Sequence, residues 1–333
     1  MPDLDISVLG GGSWGTTMAS VIARSAPTTL WARNPETVRE VLEQRTNARY
    51  LPGARISSRL KATADLGEAV RTADALLLAV PAQTMRATLE EVRKHIRPWV
   101  PVISLAKGLE LGTRKRMTEV MVELLPGHPA GALTGPNLAR EIIAGQAAAS
   151  VLAMADETIA RTLQKVISTG LFRVYVNTDV VGGELAGALK NVMAIAAGIG
   201  DGLGAGDNTR AAVITRGLAE LARLGVALGG RPPTFAGLAG MGDLVATCTS
   251  QYSRNRHVGE QLARGKTIAD IEREMHMVAE GVKSAPVVLQ LAADHGIEMP
   301  IAHEVHRVIC GGDVRHVLRE LLRQKSGAEW EPG

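Results

Sequence analysis

The chain has 333 residues, enough for about two domains. Hydrophobic residues make up 46% and charged residues 21%, the balance of an ordinary globular enzyme; aromatics are only 3%, so the core must be built from Ala, Val, Leu, Ile and Met. A net charge of +3 without a clustered basic face excludes a dedicated nucleic-acid binder, and the short runs Arg114-Lys115-Arg116 and Arg319, Arg323, Lys325 read as solvated helix faces.

From Met1 to Asp5 the chain runs straight into a strand, with no basic n-region and no long apolar h-region, so no signal peptide is expected. Short β-type runs follow at Ile6–Leu9, Thr28–Trp31, Ala75–Val80, Pro101–Leu105, Ala132–Thr134, Ala148–Met154 and Phe172–Val176. Helical patterns lie between them at Glu36–Arg45, Leu66–Arg71, Gln83–Ile96, Arg114–Leu125, Ala139–Ala144 and Glu157–Ser168. The alternation predicts a doubly wound, Rossmann-type α/β sheet. The fully apolar run from Ala75 to Val80 suits a strand buried on both faces. After about Val180 strand-like runs give way to helical segments, at Glu184–Gly200, Thr209–Leu228, Val258–Arg264, Ile268–His276, Lys283–His295, Ile301–Ile309 and Val314–Lys325. We therefore expect a dinucleotide-binding domain over 1–180 and a mostly α-helical substrate-binding domain over 181–333. No apolar stretch reads as long and charge-free enough to span a bilayer. Cys248 and Cys310 lie far apart with no metal spacing, which fits a reduced, cytoplasmic protein without a metal site.

The strongest local signal is Gly10-Gly11-Gly12-Ser13-Trp14-Gly15, which reads G-x-G-x-x-G between a strand and a helix. Gly10 allows the tight turn, Gly12 lets a pyrophosphate approach the backbone, and Gly15 lets the helix pack close to the sheet. The helix start presents free N–H groups to the phosphates. An NAD site usually carries a carboxylate at the end of the second strand; here that place holds Arg33, which suits a 2′-phosphate, with Arg49 and Tyr50 in reach. The residues leave NAD(H), NADP(H) or both open.

Four later segments carry chemistry. Lys107 follows an apolar strand, where ligands of open α/β sheets bind. Thr134-Gly135-Pro136-Asn137 has the same placement and then opens a helix; Asn137 reads either as a ligand contact or as the helix cap. Lys190 stands in an apolar helix with Ala186, Gly187, Met193 and Ala194 as same-face neighbours, none of them a carboxylate. A lysine buried alone has its pKa lowered and becomes a usable acid or base. Gly240-Met241-Gly242-Asp243 is followed by Ser253-Arg254-Asn255-Arg256, a cluster suited to phosphate.

Together with Gly187-Ala188-Leu189-Lys190-Asn191 and Thr215-Arg216-Gly217-Leu218-Ala219-Glu220, these segments resemble the bacterial-type soluble NAD(P)-dependent glycerol-3-phosphate dehydrogenases, in family order from residue 8 to about 300. The resemblance implies interconversion of dihydroxyacetone phosphate and sn-glycerol 3-phosphate, feeding phospholipid synthesis. It implies Lys190 as proton donor and acceptor. It places Lys107, Gly135, Asn137, Lys190, Asp243, Ser253, Arg254 and Asn255 on the substrate. It places Gly10, Gly12, Ser13, Trp14, Gly15, Arg33, Tyr50, Lys107, Ala139, Arg254, Val278 and Glu280 on the dinucleotide. Position 137 often holds Ser or Thr in the family, and the Ser25-Ala26-Pro27-Thr28 link looks shorter than usual. The expected partners are small molecules, without nucleic acid or membrane insertion; a homodimer is compatible with this reading. The competing readings are a hydroxyacid or 6-phosphogluconate-type dehydrogenase, and a non-catalytic dinucleotide-binding regulator.

Overall fold

The structure, a computed structural model, describes residues 4–275 and 279–323. The chain divides into two compact units, the first comprising residues up to Glu110 together with Lys115–Glu184, the second Leu111–Arg114 and the residues from Leu185 onward.

The first unit alternates strand and helix: β1 (Ile6–Leu9), α1 (Ser13–Ile22), β2 (Thr28–Trp31), α2 (Pro35–Glu43), β3 (Lys61–Thr63), α3 (Leu66–Arg71), β4 (Ala75–Leu78), α4 (Met85–Val92), β5 (Val102–Ser104), α5 (Met117–Leu124), β6 (Ala130–Thr134), α6 (Ala139–Ile143), β7 (Ala148–Met154), α7 (Glu157–Ile167) and β8 (Phe172–Asn177). Local chemistry starts the helices. Asn34 accepts from Glu36 N ahead of Pro35, Asp65 accepts from Glu68 N, and Asp156 accepts from the N–H groups of Thr158 and Ile159.

The strands form one sheet in the order β3-β2-β1-β4-β5-β6-β7-β8. All neighbours are parallel except β6 and β7, which run antiparallel with Thr134 opposite Val151. Successive residues of a buried strand serve opposite faces. Ala75 and Leu77 of β4 join Met18, Ile22, Leu163 and Ile167 on one side. Leu76 and Leu78 join Val70, Met85, Leu89 and Met121 on the other. Both layers are therefore aliphatic, as the scarcity of aromatics requires.

The structure corrects several expected elements. The edge strand β3 is only three residues long and gave no periodic signal. The segment Gln83–Ile96 resolves into a short 3₁₀ turn, Ala82–Thr84, followed by α4. The antiparallel β7 departs from an all-parallel sheet.

The second unit is helical: α8 (Val180–Gly202), within which the division between units falls, α9 (Asp207–Ala227), α10 (Pro232–Ala236), α11 (Asp243–Thr249), α12 (Arg254–Ala263), α13 (Ile268–Glu274), α14 (Glu280–Asp294), α15 (Pro300–Ile309) and α16 (Arg315–Arg323). Contrary to the expectation from sequence, α8 is long and apolar enough to cross a membrane; with 83% of its apolar window buried, it is a core helix. Its small residues explain the burial. A Cβ at Gly198 would stand 1.9 Å from the Arg256 carbonyl oxygen, and one at Gly259 would stand 2.1 Å from the Ile195 carbonyl oxygen. Helices α8 and α12 thus meet backbone to backbone. The sequence reading skipped α10, α11 and the π-helical turn Leu238–Gly242 between them.

The Thr215–Glu220 segment has a structural role on α9. Glu220, 2% exposed, accepts from the N–H groups of Ile301 and Ala302 at 2.8 and 3.3 Å, so it caps the start of α15. Burial pushes its carboxyl up to about 7, against the opposing pull of those two N–H groups. A carboxyl raised from 4.5 to about 7 on folding contributes stability that is complete below pH 4.5 and lost as pH rises through 7. We expect the stability of the wild type relative to Glu220→Gln to fall by about 3 kcal/mol between pH 4.5 and 7.5, from the linkage relation. Urea unfolding of both proteins across that range measures it.

Candidate active site

The parallel order β1-β4-β5-β6 brings the carboxyl ends of these strands to one edge of the sheet, and the chain reverses its winding between β1 and β4. Ligands of open α/β sheets bind at such a point. The glycine turn lies there. Gly10 has φ +127°, a conformation side chains disfavour, and its N–H donates to Trp31 O at 2.9 Å. A Cβ at Gly15 would stand 2.0 Å from Gly10 O and 2.8 Å from the Ala79 Cβ, so only glycine lets α1 pack this close. A Cβ at Gly12 would meet nothing within 4 Å. The first α1 N–H to find a carbonyl within the helix is that of Thr16, which donates to Gly12 O at 2.9 Å. An open approach, a left-handed turn and an unpaired helix start together fit a pyrophosphate. Ser13 lies half-buried in the first turn, and the Trp14 ring packs edge-on to Phe172 at 6.4 Å with its indole nitrogen buried and without a hydrogen-bond partner among the described residues.

The next two strand ends are joined by a side chain. Lys107, beyond β5, donates from Nζ to Gly135 O at 2.6 Å. Gly135, beyond β6, has φ +111°. Asn137 does not cap α6, whose cap position is Leu138. Both polar atoms of the Asn137 carboxamide are buried without a hydrogen-bond partner among the described residues. A buried carboxamide left unsatisfied costs stability, and helix capping does not account for it. Ala139 lies at the start of α6, its carbonyl accepting from Thr17 Oγ1 at 3.3 Å, which ties α6 to α1.

Arg33 follows β2 and is exposed. Tyr50 is half-buried, with the Arg49 guanidinium 5.5 Å from its ring centroid. Val278 lies outside the described residues.

In the helical unit Lys190 is 4% exposed and Asp243 1%. Lys190 Nζ stands 2.9 Å from Asp243 Oδ1 and also donates to Thr247 Oγ1. The Thr247 hydroxyl donates in turn to Asp243 O at 2.6 Å. The lysine is therefore buried but not alone, and Asp243 holds its ammonium as the resemblance implies. Its own helix face holds no carboxylate, and the partner arrives from α11, 53 residues later. The π-helical turn Leu238–Gly242 delivers Asp243 at the first position of α11; wide turns of this kind recur at functional sites. Burial pushes the nearby Cys248 thiol up to about 12, which makes it a packing residue and not a nucleophile.

The cluster after α11 divides by role. Ser253 caps α12, accepting from Arg256 N at 3.2 Å with its hydroxyl hydrogen still available. Arg256 is committed to Asp201 and Glu260, at 2.6 and 2.9 Å. Asn255 is buried; it donates from Nδ2 to Asn191 Oδ1 and accepts from Gly281 N, both at 2.9 Å, so most of its amide serves the packing of α8, α12 and α14. Much of the Arg254 side chain is open to water. The surrounding protein lowers its pKa and Glu280, the first residue of α14, opposes the shift; solvent screens both effects. Sequence reasoning gave no role to Thr247, although it lies in the segment that begins at Gly240, and missed Asn47, discussed below.

Turn, sheet and strand-end side chains define a dinucleotide-binding protein of the Rossmann class. A family model described as NAD-dependent glycerol-3-phosphate dehydrogenase N-terminus matches residues 5–160, and its C-terminal counterpart matches residues 179–318. The chain is 61% identical over 331 residues to glycerol-3-phosphate dehydrogenase (NAD(P)+) 2 of Sphingopyxis alaskensis, covering 99% of each chain. It is 54% identical to the glycerol-3-phosphate dehydrogenase (NAD(P)+) of Mycobacterium avium, covering 99% of this chain and 97% of that one. A crystal structure of glycerol-3-phosphate dehydrogenase from Coxiella burnetii superposes with TM-score 0.92 at 37% identity, over 96% of this chain and 99% of that one. A ketopantoate reductase family member from Ralstonia eutropha, at 16% identity and TM-score 0.63, shares the fold alone. The chain belongs to the NAD-dependent glycerol-3-phosphate dehydrogenase family.

Removing one partner of a buried ion pair leaves the other charge uncompensated, whereas replacing both with apolar groups is far milder. Asp243→Leu should destabilise the protein by about 3–5 kcal/mol, and Lys190→Met combined with Asp243→Leu should recover most of that loss. Denaturant unfolding of the four members of the cycle measures it.

Proposed function

We propose that this chain interconverts dihydroxyacetone phosphate and sn-glycerol 3-phosphate with NAD(H) or NADP(H), in the cytoplasm, supplying glycerol 3-phosphate for phospholipids. The observation that carries the mechanism is the buried ammonium of Lys190, fixed by Asp243 and Thr247. The reduced nicotinamide supplies a hydride to the ketone carbon when bound. Lys190 Nζ donates a proton to the ketone oxygen as negative charge develops there, and takes it back in the reverse direction. Asp243 sets the direction of that ammonium and accepts from a substrate hydroxyl. Lys107 adds a second positive charge, and the unsatisfied carboxamide of Asn137 binds the substrate's oxygens.

Arg254, open to water and forked for two parallel bonds, grips the phosphate with help from the Ser253 hydroxyl and the second Nδ2 hydrogen of Asn255. Binding energy from this remote group orients the reacting carbon. The glycine turn holds the pyrophosphate, and Glu280 and Tyr50 contact the rest of the dinucleotide. Arg33, exposed where a carboxylate would favour NAD, receives a 2′-phosphate when NADP(H) binds. The partners are small molecules, with neither nucleic acid nor membrane insertion, and a second copy of the chain is the one assembly proposed.

Steady-state oxidation of NADH and NADPH with dihydroxyacetone phosphate, against a panel of 2-keto and 3-keto acids, tests the reading. Activity confined to the acids would reject it. Lys190→Ala should lower kcat by about 10²–10⁴-fold, the usual worth of a general acid. Arg254→Ala should raise KM for dihydroxyacetone phosphate at least about 30-fold, roughly the loss of one charge-assisted contact of 2 kcal/mol. Arg33→Ala should raise KM for NADPH and leave that for NADH unchanged; equal effects on both would remove the 2′-phosphate role.

A further inference from the structure

Asn47 lies between α2 and β3, in no recognised motif, and its side chain is fully buried. Its Nδ2 donates twice, to Gly11 O at 3.0 Å and to Thr16 Oγ1 at 2.9 Å. The reverse placement of the amide would set two oxygens against each other at Gly11, so the donor assignment is forced. Its Oδ1 is buried and makes no hydrogen bond to the described residues.

The geometry explains what is gained. The peptide between Gly11 and Gly12 is planar and trans, so its C=O and N–H point in opposite directions. Drawing the Gly11 carbonyl toward Asn47 turns the Gly12 N–H away from Asn47. The Gly11 residue is held from another side as well, because a Cβ there would stand 2.6 Å from the Ala32 Cβ. The Asn47 backbone is itself anchored. Its carbonyl accepts from the N–H groups of Tyr50 and Leu51 at 3.2 and 2.8 Å, and Glu40 Oε1 accepts from Thr46 Oγ1 and Ala48 N on either side. One residue thus links the glycine turn to the turn that carries Arg49 and Tyr50.

We infer that Asn47 is a positioning residue for the cofactor: it fixes the Gly11–Gly12 peptide plane so that the Gly12 N–H is preset to donate to the dinucleotide's pyrophosphate. The inference rests on the glycine turn being the pyrophosphate site. It concerns cofactor capture and leaves the proton transfer at Lys190 untouched.

Asn47→Leu keeps the shape and removes both donors; Asn47→Ala, which also removes both donors and adds no charge, is the second variant if the first does not fold. Thr16→Val is the control, since it deletes one Asn47 bond and keeps the one to Gly11. Fluorescence titration gives Kd for NADH and for ADP-ribose, which carries the pyrophosphate, and competition gives Kd for adenosine, which lacks it. We expect the Asn47 variant to bind NADH and ADP-ribose at least tenfold more weakly, to bind adenosine like the wild type, and to retain kcat within threefold at saturating cofactor. Thr16→Val should bind all three normally. Unchanged ADP-ribose binding in a folded Asn47 variant overturns the inference, as does an equal loss for adenosine and ADP-ribose, which marks a general structural effect. Failure of the wild type itself to bind ADP-ribose would instead reject the glycine turn as the pyrophosphate site.

Discussion

An ammonium group taken out of water must be matched by a carboxylate and by hydrogen bonds, or the fold around it is lost. That requirement organises the helical unit around Lys190. Helix α8 places the lysine among small apolar residues and offers no carboxylate on the face that carries it. The match has to come from a distant segment, so the π-helical turn, the first residue of α11 and the Thr247 hydroxyl are all bound to one geometry. The same helix can be this small because α12 presses backbone against backbone onto it at Gly198 and Gly259. Tight packing and a fixed ammonium are two consequences of one composition.

The first unit meets a different constraint. The groups at its strand ends are mostly backbone, and backbone is aimed by turns. The left-handed Gly10 and Gly135, the close approach at Gly15 and the buried amide of Asn47 each set a peptide plane at a strand end. Lys107 holds the β5 and β6 ends together through the Gly135 carbonyl. Arg33, exposed after β2, and the Arg49–Tyr50 pair lie outside this backbone framework.

The sheet was largely legible because its strands are short apolar runs in a regular alternation: Ile6–Leu9, Thr28–Trp31 and Ala148–Met154 stand where the pattern places them. What escaped had no pattern to offer. Strand β3 is three residues at an edge, and the segment from Pro232 to Thr249 is broken by proline and glycine into helices too short for periodicity. The chemistry divided along the same line. Glycine spacing and the lysine in an apolar helix are local signals. The pairing of Lys190 with Asp243, the use of Arg256 in the Asp201 ion pair and the grip of Asn47 on Gly11 are long-range contacts that no window of sequence contains. The Asn137 carboxamide lies between these cases: its position was visible, but only the structure shows that Leu138 and not Asn137 caps α6.

The central claim is that the charge at position 190 acts as the acid. Chemical rescue tests it most directly, by following NAD(P)H consumption with dihydroxyacetone phosphate in Lys190→Ala as ethylammonium is added. A saturable recovery of turnover with amine concentration, at unchanged cofactor affinity, is the expected result. Turnover at the wild-type rate without amine, or no response to any alkylammonium in a variant that still binds the cofactor normally, would contradict it.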